Sequence, residues 1–379
     1  MEKITEEDIE KNKSIVEENK YKFIKIRGKG GFGFVNEVQK DDRTYAFKIV
    51  FPIEKKNSKG ELIEKILKTE LVKEFRGRNL IKILQEGKGT YNNEDYYFYV
   101  MEFSCLGDIN KFREGLNDNL IFKEPFENDV GDNLIRYFTL QLVNAIKTLY
   151  QGDLVHFDIK PDNILMFLGL ETKLIDFSFL RKLDPEKPQI IPGGTPGYLT
   201  PEYFNNSREL LDNDTLRKQD YFALGATLYN LKYGKIFIDN YKDLKVRDNN
   251  DYNLYNSINY IQRAMNTIRS QPFQDKEFDD FLCNLVQYVP EERPDFENII
   301  RNKWLNRNAK EIKKIVDLNG FDEDNLLLEL RKSDFIIDYE EKYRKYFDEK
   351  KKKIKQNINI IEKENFHLGK SLNNNLDYF

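Results

Sequence analysis

From His156 to Asn163 the chain reads His-Phe-Asp-Ile-Lys-Pro-Asp-Asn, and thirteen residues after Asn163 the run Thr172-Lys173-Leu174-Ile175 ends in Asp176-Phe177. An Asp, a Lys two residues later and an Asn three after that, followed by an Asp-Phe at the end of an apolar run, is the pattern that narrows the reading of this chain most. One of the two histidines in the sequence lies inside the motif.

At 379 residues the chain can hold one domain of about 280 residues with extensions, and length alone would allow two or three domains. A net charge of -4 argues against a general nucleic-acid binder, so no nucleic-acid partner is expected. Two cysteines, Cys105 and Cys283, are far apart and form no disulfide framework, which suits a reducing compartment. The start, Met1 to Asp8, has no apolar signal core. No run of about 18 apolar residues occurs, so no transmembrane segment is expected. The expected localisation is cytoplasmic, with nuclear or cytoskeletal association left open.

Residues 1–20 are polar with sparse Ile4, Ile9, Ile15 and Val16, and read as a short charged helix or a loose tail. Tyr21 to Ile26 alternates like a strand and enters Gly28-Lys29-Gly30-Gly31-Phe32-Gly33-Phe34-Val35. Phe34 to Val38 then continues as strand, whereas a dinucleotide-binding loop would run into a helix. Thr44 to Val50 is a further strand with Lys48 among apolar neighbours. Residues 61–75 space Leu62, Ile63, Ile66, Leu67, Leu71 and Phe75 as an amphipathic helix. Residues 134–150 form another helix leading to the His156 motif. Two stretches rich in Asn, Asp and Tyr, 205–217 and 239–257, read as inserted surface loops.

Six elements in order carry a resemblance to eukaryotic-type serine/threonine protein kinases. They are the glycine loop, the Ala46-Phe47-Lys48 strand, the motif around Asp158, Asp176-Phe177-Ser178, Gly194-Thr195-Pro196-Gly197-Tyr198-Leu199-Thr200-Pro201-Glu202, and Gln219-Asp220 with Arg293. The resemblance implies an α+β, two-lobed fold. Its small lobe, 21–102, would be an antiparallel sheet with one main helix, and its larger lobe, 105–306, mainly helical. A charged N-terminal extension (1–20) and a helical C-terminal extension (307–379) would flank it, the latter as a possible protein-docking surface.

What the resemblance implies for the site is specific. ATP and Mg²⁺ would be the cofactors and a protein bearing Ser or Thr the substrate. Asp158 would accept the proton of the attacking hydroxyl, Lys160 would neutralise the transferring phosphate, and Thr195 would bridge the two. Asn163 and Asp176 would hold the metal ions. Gly28, Gly30 and Gly33 would lie over the phosphates and Lys48 would grip them, paired with Glu70 or, failing that, Glu64. Val35, Ala46 and Leu165 would sandwich the adenine beside Met101, with Glu102 and Ser104 in the hinge. Asp220 would bind the catalytic-loop backbone, and Arg293 would pair with Glu202.

Two departures bear on regulation. Phe157 stands where an Arg is usual, so an activation-segment phosphate would find no partner there. Ser178 replaces the usual Gly and is expected to restrict the backbone at that point. Phe179 to Gly194 contains no Ser, Thr or Tyr and has three prolines. An active kinase independent of activation-segment phosphorylation is therefore expected, the alternative being a pseudokinase scaffold that binds partners through its lobes and C-terminal helices.

Overall fold

The computed structural model describes residues 4–30, 33–51, 55–56, 62–63, 77, 79–104, 107–111, 129–167, 171–205, 210–238, 259–266, 268 and 275–306. The first element is a helix, not a loose tail. Helix α1 (Glu6–Glu18) starts at Thr5, whose hydroxyl accepts from Asp8 N–H while the Asp8 carboxylate accepts from Thr5 N–H. This reciprocal cap satisfies two orphan donors of the first turn.

A five-stranded antiparallel sheet follows, ordered β1-β2-β3-β7-β6. Its strands are β1 (Lys22–Gly30), β2 (Gly33–Lys40), β3 (Arg43–Val50), β6 (Ile83–Tyr91) and β7 (Glu94–Glu102). Asp41-Asp42 and Asn92-Asn93 close two-residue hairpins with all four residues at positive φ, the conformation that Asp and Asn tolerate best.

The pleat sorts side chains onto two faces. Val35 lies opposite Lys48, Glu37 opposite Ala46, and Ala46 opposite Met101, so these five share one face. Asn36 and Phe47 face the other way, where Val38, Ile49, Phe98 and Val100 form a cluster with Ile15 and Val16 of α1. Helix α1 thus covers the outer face of the sheet.

Outside that sheet, β4 (Lys55–Lys56) pairs with β5 (Leu62–Ile63). The helix expected over 61–75 is thus corrected at Leu62 and Ile63 alone, which are spent on strand pairing. Residues 64–76, with Glu64 and Glu70, lie outside the described residues.

The larger lobe is built on α2 (Asp129–Tyr150), which begins five residues earlier than expected, and on α4 (Asn213–Tyr233). Between them run β8 (Leu154–Val155), the hairpin β9 (Ile164–Phe167) and β10 (Glu171–Leu174), β11 (Arg181–Lys182) and the short α3 (Pro201–Asn205). Asp212 caps α4 through Thr215 N–H, and Gly234 ends it in a left-handed conformation. The assignment of 205–217 to an inserted loop therefore fails from residue 213 onward. Thr215 and Leu216 are already buried in the first turn of α4, where the Asp212 cap outweighs an asparagine-rich composition. The other proposed insertion, 239–257, lies outside the described residues, as does 307–379.

Helices α5 (Lys276–Leu285) and α6 (Phe296–Ile300) close the core. Trp304 is fully buried, with ring centroids 4.9 Å from Phe278 and 5.2 Å from Phe281. No helix among the described residues is long and apolar enough to cross a membrane.

Candidate active site

The glycine-rich turn joins β1 to β2. Gly33 has φ +145°, and a Cβ there would lie 1.9 Å from the Ile49 carbonyl oxygen, so only glycine fits. Gly28 and Gly30 differ. A Cβ on either would meet no atom within 4 Å, so protein packing does not demand glycine there. Their bare backbone is left open to close approach, which is what a phosphate cradle needs.

Lys48 projects from the inner face of β3 and reaches Asp176, with Nζ 2.9 Å from Oδ1. The same oxygen accepts from the Ser178 hydroxyl at 2.7 Å. Burial alone would raise the Asp176 carboxyl. The Lys48 ammonium and Ser178 hydroxyl outweigh burial and hold it well below the usual carboxylate range. Both bonds use Oδ1, which leaves Oδ2 as a hard anionic ligand of the kind magnesium takes. Asp176 itself adopts φ 63°, whereas Ser178 is not among the positive-φ residues. Ser178 therefore stays out of the positive-φ region, and its hydroxyl makes a contact to Asp176 besides.

The loop after β8 gathers the remaining polar groups. Thr195 Oγ1 donates to Asp158 Oδ1 at 2.6 Å, and Lys160 Nζ lies 2.5 Å from Thr195 Oγ1 and 3.1 Å from Asp158 Oδ2. Asn163 Nδ2 donates to Asp158 Oδ2 at 2.9 Å and to its backbone oxygen at 2.8 Å. With the amide nitrogen committed, the amide oxygen of Asn163 is the end left for a cation. Asn163 and Asp176 therefore fit a magnesium site whose other ligands come from phosphate and water.

Beneath this loop, Asp220 of α4 accepts the backbone N–H groups of His156 and Phe157, each at 2.9 Å. Burial pushes its carboxyl up to about 7, against the lowering effect of those two donors. His156 is buried, and burial lowers its imidazole below the ordinary value. Its Nδ1 faces the Asp158 N–H at 3.2 Å and must accept, so Nε2 carries the proton donated to Ile175 O at 3.0 Å.

Phe157 holds a left-handed φ of 64° and is buried with Val155, Leu183, Ile191 and Leu216. Leu183 and Ile191 belong to the segment between Asp176 and Thr195. That segment is also tied by β11 on β8 and by paired backbone bonds between Gln189 and Leu211.

The nucleotide-side residues fall along the inner face of the sheet and the hinge. Val35, Ala46 and Met101 share that face with Lys48. Leu165 lies opposite Lys173, whose ammonium is 2.6 Å from Glu102, so Leu165 sits on the hinge side of its hairpin. Glu102 also accepts from Lys82 N–H at 2.7 Å, and the Ser104 hydroxyl bonds Met166 O and accepts from Gly107 N–H. Both hinge side chains are thus structural braces. Ser178 and the Asp8–Lys29 ion pair (2.9 Å) were not anticipated as functional contacts. The sequence signal for the second was the Thr5-to-Asp8 cap ahead of an amphipathic turn, with a lysine inside the glycine loop.

Residues 21–305 match the family described as protein kinase domain. The chain belongs to the protein kinase family. It is 26% identical over 227 residues to serine/threonine-protein kinase MRCK beta of Rattus norvegicus, covering 57% of this chain and 12% of that protein. Citron Rho-interacting kinase of Mus musculus is 26% identical over 246 residues, covering 62% and 11%. Serine/threonine-protein kinase atg1 of Schizosaccharomyces pombe is 25% identical over 302 residues, covering 71% and 34%. The matched part is 11% to 34% of the length of these relatives.

Proposed function

We propose that this chain is a catalytically active kinase that transfers the γ-phosphate of ATP to Ser or Thr hydroxyls of a protein substrate. The observation that carries the reading is the bonded set Asp158, Lys160, Thr195 and Asn163, together with Lys48 on Asp176 and a glycine hairpin whose Gly28 and Gly30 are open to approach. In this reading Asp158 orients the acceptor hydroxyl and takes its proton, while Lys160 offsets negative charge on the transferring group. Lys48 and the amides of the glycine turn hold the phosphates. Asn163 and Asp176 would hold Mg²⁺, which would supply charge neutralisation at the phosphates. The serine/threonine assignment rests on Lys160, on Thr195 and on the names of the relatives. Retention of Lys48, Asp158, Asn163 and Asp176 together speaks for catalysis over a scaffold role.

Activity independent of activation-segment phosphorylation belongs to the same reading. Phe157 offers no charge, and the segment it packs against is held by Leu183 and Ile191 instead. Thr200 is buried with its hydroxyl on Gln219, so it is poorly placed for modification. The test is a peptide array with matched Ser, Thr and Tyr acceptors, run with phosphatase-treated protein and Mg²⁺-ATP. Transfer to Ser or Thr is expected. Labelling of Tyr alone, or a tenfold loss after phosphatase, would contradict the proposal.

A further inference from the structure

Helix α1 grips the glycine hairpin from the face opposite the cleft. Lys29 pairs with Phe34 across β1 and β2, and Phe34 shares its side of β2 with Asn36. This is the face that α1 covers. Asn36 Nδ2 donates to Asn12 Oδ1 at 2.9 Å, with both residues fully buried. Asn12 Nδ2 is held by Asp8 O and Asn36 Nδ2 also reaches Phe47 O, so sliding α1 along β2 would strip the buried Asn12 Oδ1 of its donor, which favours one register. Lys29 Nζ meets Asp8 Oδ2 at 2.9 Å. Asp8 is itself held by the cap of α1, accepting from Thr5 N–H at 2.9 Å, so its carboxylate is in place whatever Lys29 does.

Lys29 lies between Gly28 and Gly30, where the chain has most conformational freedom and the surroundings impose least. An anchored side chain at that point restricts its glycine neighbours. We propose that Asp8 is a positioning residue for the nucleotide: through Lys29 it holds the Gly28–Gly30 backbone at the height where its amides meet phosphate, so that α1 is a working part of the ATP site. The proposal rests on the kinase reading above. A loop that samples other positions binds more weakly in proportion to the time it spends in the competent one.

Calorimetry with adenylyl imidodiphosphate and Mg²⁺ tests this on the full chain, with hydrogen exchange of the Gly28–Gly33 amides measured without nucleotide. Asp8→Asn keeps a cap acceptor but loses the charge, and Lys29→Met removes the partner. Each should weaken nucleotide binding by about threefold to tenfold and speed exchange in the loop. The double variant should be no worse than either single one, and Asp8→Glu should restore most of the affinity. Turnover at saturating ATP and KM for peptide should stay within about twofold. Folded single variants with unchanged affinity and exchange, or losses that multiply in the double variant, would overturn the proposal. Wild-type protein that binds nucleotide yet transfers no phosphate would contradict the kinase reading alone.

Discussion

Lys48 and Asp176 form an ion pair at 2.9 Å across the cleft, joining the small sheet to the strand end that follows the catalytic loop. Ser178 completes the arrangement on the same carboxylate oxygen. Lys48→Met should lower turnover by about 10²-fold, since a fixed charge aimed at the reacting phosphates is lost. Ser178→Ala should instead raise the Mg²⁺ concentration needed for half-maximal activity by about threefold to tenfold, with little effect at saturating Mg²⁺. A Mg²⁺ titration of both variants separates the two roles. An unchanged midpoint for Ser178→Ala would show that the hydroxyl does not position Asp176.

Asp220 yields a pH prediction. Its folded value of about 7 lies above the ordinary 3.8, so the folded chain keeps a proton that the unfolded chain releases above about pH 4. Its contribution to stability is therefore greatest at low pH, falls as pH rises from about 4 to 7, and is level beyond. Asp220→Asn leaves one of the two backbone N–H donors poorly matched, costing about 1–3 kcal/mol. That cost should be larger at pH 5 than at pH 7.5 in thermal melts. Buried His156, whose value is lowered, gives both proteins the opposite slope and cancels in the difference. A cost that does not vary with pH would mean Asp220 is ionised throughout.

The Glu202–Arg293 pair is scaffold. Arg293 is 2% exposed and donates to Glu202 at 2.6 Å and to Gln287 O at 2.7 Å, with its guanidinium carbon 5.1 Å from the Phe222 ring centre. Arg293→Ala leaves the buried carboxylate without its partner and should cost about 3–5 kcal/mol, read as a lower denaturant midpoint. Glu202→Gln, which keeps an acceptor, should cost less. Equal and small effects would place the pair among screened surface contacts.

Phe157→Arg should damage the molecule instead of conferring control by phosphate. It puts a charge among Val155, Leu183, Ile191 and Leu216, at a cost of about 2–4 kcal/mol. Limited proteolysis should then cut within 183–192. An arginine accommodated without loss would mean that other contacts hold the segment.

Much of the site was legible because its residues keep fixed spacings. Asp158, Lys160 and Asn163 lie on one loop, and Thr195 meets them because it follows the segment anchored by Phe157. Asp220 and Arg293 were legible only through the resemblance to protein kinases, since they lie far along the chain from the residues they bond. The first three strands of the small sheet were marked by the alternation of Tyr21 to Ile26 and by the apolar runs at Phe34 to Val38 and Thr44 to Val50. What escaped depended on long-range packing. The Thr5 cap and the spacing of Ile15 and Val16 are visible in sequence, but the sheet face they cover is not. Leu62 and Ile63 carry helical spacing yet pair as strand, since periodicity over two residues cannot outweigh a nearby pairing partner. Ser178 was read for its backbone, whereas its hydroxyl makes the contact.

The most direct test compares wild type with Asp158→Asn in two measurements on the same protein, phosphate transfer to a Ser or Thr peptide and affinity for Mg²⁺-nucleotide. Asp158 bonds Thr195, Lys160 and Asn163 and acts on the acceptor hydroxyl in this account. Turnover should fall by about 10²–10⁴-fold while nucleotide affinity stays within about twofold. Equal turnover in the two proteins, or no transfer by either, would contradict the assignment of this chain as an active kinase.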